Sequence, residues 1–228
     1  MANSKEQENF RLVEKALFQL WEVANQLSFV RPPQEPYYRV TLFGSARIKK
    51  GDALYNSVRS LSSSLAAIGC DIITGGGPGL MEAANEGEAM GDAEHKTRSF
   101  GLSIELPYEE VPSPFIEKLY KHKTFFSRLH HFVWLSNAFV VLRGGLGTVL
   151  EAMMIWQLLQ VKHLKNTPLI FVGPMWKDLV AWANTHMLGE YQLANPDDLR
   201  LPICVDTIEE VLPIIQASKL KYEAEKQE

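Results

Sequence analysis

Two glycine-rich segments carry the residue types best suited to binding a phosphorylated ligand. The first runs from Thr74 through three glycines and a proline to Gly79, and the second runs from Arg143 to Thr148. Each segment follows a short apolar run and precedes a helical pattern. Glycine lets a ligand approach the backbone closely, and the start of a helix offers unpaired N–H groups that favour anions. The two segments therefore indicate one phosphate-binding pocket, although a tight turn that binds nothing is the alternative for each.

Two charged side chains near these segments could perform chemistry on a bound ligand. Glu151 lies in the first turn of the helix after the second segment. It is either a surface carboxylate that the helix dipole stabilises or a carboxylate that lies beside a bound ribose. Arg128 lies among Phe125, Phe126 and Leu129 in a helix that we expect to be largely buried, so its guanidinium needs a carboxylate or phosphate partner. We expect the adjacent histidines 130 and 131 to be structural or surface residues.

The candidate site combines these two residues with the turns around them. Ser45 could be only a helix cap, and Glu82 could be only a first-turn acid. The predicted phosphate-binding residues are Gly44, Ser45, Gly75, Gly76, Gly77, Gly79, Glu82, Arg143, Gly144, Gly145, Gly147 and Thr148.

The motifs and composition exclude several other classes of protein. Neither segment has the G-x-G-x-x-G spacing of a dinucleotide site, and no phosphate-binding-loop lysine motif occurs. The net charge of −4 does not suit a nucleic-acid partner, and the longest apolar runs are too short to cross a membrane. The polar N-terminus does not resemble a signal peptide, and two cysteines in 228 residues are typical of a reduced, cytoplasmic protein. No cysteine–histidine cluster has metal-ligand spacing, so we expect no metal site.

Strand and helix patterns alternate along most of the chain and predict an α/β fold. We expect a Rossmann-like, doubly wound parallel sheet with flanking N- and C-terminal helices. Predicted strands cover 38–43, 71–74, 99–106, 139–142, 168–172 and 203–205. Predicted helices cover 4–28, 53–68, 79–90, 125–136, 147–162, 176–188 and 208–222. The predicted organisation is an N-terminal helix and linker at 1–36, one nucleotide-binding domain at 37–216 and a charged tail at 217–228.

The order and spacing of these motifs resemble the LONELY GUY, or lysine decarboxylase-like, family of Rossmann-type proteins. The resemblance covers about 40 to 180. The matching segments are Leu42–Arg47, Thr74–Asn85, Gly101–Pro107, Phe125–Arg128 and Gly144–Thr148 with Glu151.

The resemblance implies hydrolysis of the N-glycosidic bond of a nucleoside 5′-monophosphate, such as a cytokinin ribotide or AMP, to the free base and ribose 5-phosphate. It also implies a homodimer. Arg128 and Glu151 match the family's catalytic arginine and glutamate. A carboxylate near C1′ would stabilise positive charge on the ribose or activate water, and an arginine would bind phosphate or orient that carboxylate. No lysine has the context of a pyridoxal phosphate site, so no cofactor is expected.

Four residues depart from the family pattern. Arg143 stands in place of proline, Leu129 in place of lysine, and Leu150 and Met154 in place of acidic residues. Arg143 could replace the missing lysine charge, or it could pair with Glu151 and block it. The alternatives are therefore a nucleotide or molybdenum-cofactor carrier with altered catalysis and, less favoured, a nucleotide sensor.

Overall fold

A computed structural model describes residues 2–28, 37–105, 111–189 and 191–226 of the chain. The chain divides into two compact units, Met1–Pro36 and Tyr37–Glu228. The first unit contains helix α1, Ala2–Ser28, in which residues 6–23 are exposed. The linker that we predicted at 29–36 lies outside the described residues.

The second unit is built on a seven-stranded parallel sheet with strand order β4-β3-β2-β1-β5-β6-β7. The strands are β1 Tyr38–Phe43, β2 Cys70–Thr74, β3 Ser99–Ile104, β4 Lys118–His122, β5 Ala138–Val141, β6 Leu169–Val172 and β7 Pro202–Val205. Strand β1 pairs with both β2 and β5, with Val40 opposite Ile72 on one side and Ala138 on the other. The doubly wound parallel sheet is therefore confirmed.

Helices cover both faces of this sheet. They are α2 Ala53–Ala67, α3 Leu80–Gly91, α4 Phe125–Leu135, α5 Leu146–Gln160, α6 Pro174–Met187, α7 Pro196–Leu199 and α8 Val211–Glu225. One apolar core lies between the sheet and α2, α3 and α8, and a second lies between the sheet and α4, α5 and α6. Strands buried on both faces give continuous apolar runs, which is why β5 and β6 were identifiable from sequence.

Two elements were absent from the sequence prediction, and one helix ends later. Strand β4 lies at the sheet edge, has no fully buried residue and carries two lysines and a histidine, so it lacks the apolar run of a buried strand. Helix α7 is a four-residue turn with a capping box from Asn195 and Asp198. Helix α8 extends to Glu225, so most of the predicted tail at 217–228 is helical.

The chain reverses its direction of winding between β1 and β5, where ligands bind in open α/β sheets. The carboxyl ends of β1, β2 and β5 lead into Gly44, Gly75 and Arg143, respectively. No described helix combines the length and the apolarity needed to cross a bilayer.

Candidate functional site

The backbone of Ser45 joins the three turns at the carboxyl edge of the sheet. Its N–H donates to the carbonyl of Arg143 at 3.0 Å, and its carbonyl accepts from the N–H of Leu80 at 3.0 Å. Leu80 is the first residue of α3, immediately after the first glycine segment. The β1 turn, the first glycine segment and the second glycine segment therefore meet where a ligand-binding crevice is expected in a doubly wound sheet.

The first glycine segment is buried, and its glycines have local structural reasons. Gly76 and Gly79 have φ values of +76° and +73°, which disfavour any residue with a Cβ. A Cβ on Gly79 would also lie against the carbonyl oxygen of Ser45 and 2.6 Å from the carbonyl carbon of Ala46. A Cβ on Gly75 would occupy the position of the Arg128 guanidinium. These contacts account for three of the glycines without a ligand, and Gly77 is buried beside them.

A buried chain of polar side chains holds the first segment in place. The N–H of Gly76 donates to Thr74 Oγ1 at 3.0 Å, and this hydroxyl donates to Asn85 Oδ1 at 2.9 Å. Asn85 Nδ2 in turn donates to Ser99 Oγ at 2.7 Å. This series of hydrogen bonds connects β2, α3 and the start of β3, so the first glycine segment is part of the rigid core.

The second glycine segment is more open. Arg143, Gly145 and Gly147 are exposed, and no atom lies within 4 Å of where a Cβ on Gly145 or Gly147 would stand. Gly144 packs against the buried side chain of Thr148. This segment therefore leaves room for a ligand against the start of α5, where helix N–H groups favour an anion.

Arg128 connects the two glycine segments. Its Nε donates to the carbonyl of Leu102 at 2.7 Å, its guanidinium lies beside Gly75, and its centre is 5.3 Å from the ring centroid of Phe132. Arg128 Nη1 also lies 3.4 Å from Glu151 Oε1. The predicted carboxylate partner of Arg128 is thus Glu151, and the structure brings the two proposed catalytic residues into contact.

Glu151 is 8% exposed, on the first turns of α5 and one turn after Thr148. Burial raises the pKa of Glu151 to about 7, and the charge of Arg128 only partly opposes this rise. A carboxyl group with this pKa exchanges protons readily near neutral pH, which suits a general acid or base.

Glu82 and Arg143 were also predicted for the site. Glu82 is partly buried on α3, where its charge contributes to a raised pKa of the Tyr55 hydroxyl on α2. Within the described chain, Arg143 forms no ion pair with Glu151, so it does not block that carboxylate. Leu129 is buried in the core, and Leu150 is half-exposed beside Glu151.

The start of α4 is exposed, contrary to our expectation of a largely buried helix. Phe125 and Phe126 are 50% and 82% exposed, whereas Leu129 and Phe132 face the core. Thr124 caps the helix through Ser127 N–H at 3.2 Å, and this first turn lies next to β4 in sequence, at the edge of the sheet.

The sequence prediction missed a histidine pair beside this helix. His122 Nε2 lies 3.0 Å from His131 Nδ1, and His122 Nδ1 lies 3.1 Å from Ser127 Oγ. Burial lowers the pKa of His131 to about 4, and burial together with the charge of Arg128 lowers the pKa of His122. Both shifts favour the neutral imidazoles, and the contact of His122 with Ser127 joins β4 to the start of α4. Strand β4, which carries His122, gave no sequence signal for this contact.

A family model described as "possible lysine decarboxylase" matches residues 81–215, more than half of the chain. The chain belongs to this family. The match includes Arg128, the second glycine segment and Glu151, and it agrees with the family that the sequence motifs resemble.

Curated relatives match a similar share of the chain. A pyrimidine/purine nucleotide 5′-monophosphate nucleosidase of Escherichia coli strain K12 is 30% identical over 141 residues, which are 59% of this chain and 31% of that protein. The corresponding protein of strain O157:H7 has the same identity and coverage. The chain therefore aligns with about a third of the length of these relatives.

Solved structures share the fold at low sequence identity. The molybdenum cofactor carrier protein of Chlamydomonas reinhardtii has a TM-score of 0.57 and 16% identity, covering 81% of this chain and 99% of the carrier. A molybdenum cofactor binding protein of Rippkaea orientalis has a TM-score of 0.57 and 19% identity, covering 82% of this chain and 98% of that one. At these identities the likeness concerns the fold alone.

Proposed function

We propose that the protein hydrolyses the N-glycosidic bond of nucleoside 5′-monophosphates, releasing the free base and ribose 5-phosphate. The observation that carries this proposal is the buried Arg128–Glu151 contact, 3.4 Å long, at a crevice lined by two glycine turns. Membership of the family and the similarity to nucleotide 5′-monophosphate nucleosidases support the same reaction class.

Glu151 is the proposed group that acts on water. In the reaction, the bond between C1′ and the base nitrogen breaks, and its electron pair leaves with the base. A water oxygen bonds to C1′ and one of its protons passes to Glu151, while the departing base nitrogen takes a proton from solvent to give the free base. The raised pKa of Glu151, about 7, supports this role because the carboxylate is basic enough to accept that proton at neutral pH. Its negative charge would also stabilise the positive charge that develops on the ribose.

Arg128 is the proposed positioning residue for Glu151. Its hydrogen bond to the Leu102 carbonyl and its contact with Gly75 fix the guanidinium on the core side of the crevice. We propose that the phosphate binds instead at the second glycine segment, where Gly145 and Gly147 are unobstructed and Arg143 supplies an exposed cation.

A homodimer in a reducing, cytoplasmic compartment is the proposed setting. Exposed apolar side chains surround the crevice at the starts of α4 and α5, namely Phe126, Leu146 and Leu150. Such residues are typical of an interface between subunits. Light scattering should give twice the mass of one chain, and Leu146→Glu should reduce it to one. Cys70 and Cys204 are free thiols, which agrees with a reducing environment.

A carrier of a nucleotide-like ligand, including the molybdenum cofactor, is the second candidate. The observation that favours it is the replacement of charged family residues by Leu129, Leu150 and Met154, which leaves Glu151 as the buried carboxylate near Arg128. A carrier would bind a phosphorylated ligand stoichiometrically and would release no base.

The deciding experiment incubates the protein with AMP, CMP and isopentenyladenine ribotide and measures free base and ribose 5-phosphate. We expect release of both products in equal amounts, and a loss of about 10²–10⁴-fold in Glu151→Gln. Glu94→Gln, which changes an exposed carboxylate in the loop after α3, is the matched control and should keep full activity. Tight binding without any product would instead support the carrier.

A further inference from the structure

A second cluster of titratable side chains lies at the opposite edge of the sheet from the glycine turns. Glu88 and Asp92 lie at the carboxyl end of α3, and Glu117 directly precedes β4. One oxygen from each of the three carboxylates lies within 4.8 Å of the others. Because α3 leads back to the start of β3, this cluster is at the amino ends of β3 and β4, away from Arg128 and Glu151.

Glu88 has an unsatisfied oxygen inside this cluster. The residue is 1% exposed, and its Oε1 accepts from Thr97 Oγ1 at 2.8 Å. Its Oε2 is buried and has no hydrogen-bond partner. A buried carboxylate oxygen without a partner is costly, so a proton or a cation is needed to compensate it.

The charges around Glu88 make this need greater. Asp92 and Glu117 lie close to Glu88, and Asp71 adds a third negative charge nearby. Asp71 is compensated by Arg39 Nε at 3.2 Å and by the N–H of Arg98 at 3.1 Å. Asp92 Oδ1 accepts from the backbone N–H groups of Lys96 at 2.7 Å and Thr97 at 3.2 Å. No lysine, arginine or histidine in the described part of the chain forms an ion pair with Glu88, Asp92 or Glu117.

We propose that Glu88, Asp92 and Glu117 bind a divalent cation, with calcium as the preferred ion. The site would join the end of α3 to the start of β4, independently of the function proposed for the crevice. Glu88 and Asp92 are four residues apart on the helix, where like charges repel unless a cation lies between them. The carboxyl end of α3 also carries the negative end of the helix dipole, which favours a cation.

The geometry favours calcium over magnesium. Calcium binds carboxylate oxygens at about 2.3–2.6 Å in flexible arrangements of six to eight ligands, so ligand oxygens can be almost 5 Å apart. Magnesium needs a compact octahedron with shorter bonds. Glu117 is exposed, so water can reach the site and complete the coordination of the larger ion.

The test is a calorimetric titration of chelator-treated protein with calcium chloride, repeated with magnesium chloride. We expect one calcium per chain with a Kd on the order of 10 µM to 1 mM, and weaker binding of magnesium. Calcium at about a hundred times its Kd should raise the melting temperature by about 5–11 °C.

Variants separate a cation site from a buried proton. Glu88→Gln and Glu117→Gln should each weaken calcium binding at least tenfold. Glu117→Gln keeps the test valid if Glu88→Gln fails to fold, because the exposed side chain of Glu117 is not needed for folding. Glu94→Gln, an exposed acid in the adjacent loop, is the control and should bind calcium normally. The proposal is overturned if neither ion produces saturable heat up to about 10 mM, or if binding persists unchanged in both variants. In the first case the buried oxygen carries a proton.

Discussion

The two glycine segments look alike in sequence but differ in what surrounds them. The first is buried, has two residues with positive φ, and packs against Ser45 and Arg128. In the second, Gly145 and Gly147 are exposed and have no neighbouring atom where a Cβ would stand. We therefore propose that the first segment supports the site and that the second binds the ligand. Glycine count alone does not distinguish these two roles.

The strongest test of this difference is the stability of Gly79→Ala. The new Cβ would collide with the backbone of Ser45 and Ala46 at a φ of +73°. We expect the free energy of unfolding to fall by about 3–5 kcal/mol, measured by urea denaturation. Gly51→Ala is the matched control, because Gly51 has a φ of +100° but no atom within 4 Å of its Cβ position. Backbone strain alone should lower the free energy of unfolding of this variant by about 1–2 kcal/mol. Equal losses would show that Gly79 is not tightly packed.

A second prediction concerns Gly75, which we expect to act through Arg128. In Gly75→Ala, the methyl group displaces the guanidinium that contacts Glu151. We expect kcat on AMP to fall about 10²-fold with a smaller change in KM, because Glu151 loses its orientation. Steady-state kinetics on folded protein, checked by circular dichroism, measures this effect. Unchanged kcat would mean that the first segment does not position the catalytic pair.

A third prediction, with a smaller effect, concerns how kcat/KM depends on pH. It involves both segments, because Glu151 follows the second segment and Arg128 packs against the first. If Glu151 is a general base, it must be ionised, so kcat/KM should rise with pH and level off above a pKa of about 7. Arg128 lowers this pKa, so Arg128→Met should move the midpoint of the residual activity to higher pH. A rate that falls as pH rises through 7 would make Glu151 a general acid.

The smallest expected change in stability is in Gly147→Ala. Gly147 is inside α5 and its Cβ position is open, so alanine should leave the free energy of unfolding unchanged or raise it by about 0.5–1 kcal/mol. Urea denaturation beside Gly79→Ala measures the contrast. A loss comparable with that of Gly79→Ala would remove the distinction between the two segments.

Much of the fold was predictable because buried parallel strands have a strong sequence signal. Strand β1 was predicted with its observed bounds of 38–43. Strand β4 was not, because Lys118, Lys121 and His122 give an edge strand no apolar run. Because β4 was not predicted, the contact between His122 on this strand and His131 was not predicted either.

The candidate site was predictable where glycines and charges are close in sequence, as around Glu151. Which turn is packed and which is open depends on side chains from distant elements, such as Arg128 against Gly75. The carboxylate cluster was missed for a similar reason. Glu117 comes from the start of another strand, far along the chain from Glu88 and Asp92, and approaches them only once the sheet has formed.

The central claim is that the open second segment holds the phosphate of a nucleotide. Calorimetry with AMP and adenosine on the Glu151→Gln protein tests it most directly, because this variant should bind without hydrolysing. We expect AMP to bind at least tenfold more tightly than adenosine, and Gly147→Ala in the same background to weaken AMP while leaving adenosine unchanged. Equal affinity for AMP and adenosine, or AMP binding that is insensitive to Gly147→Ala, would contradict the account.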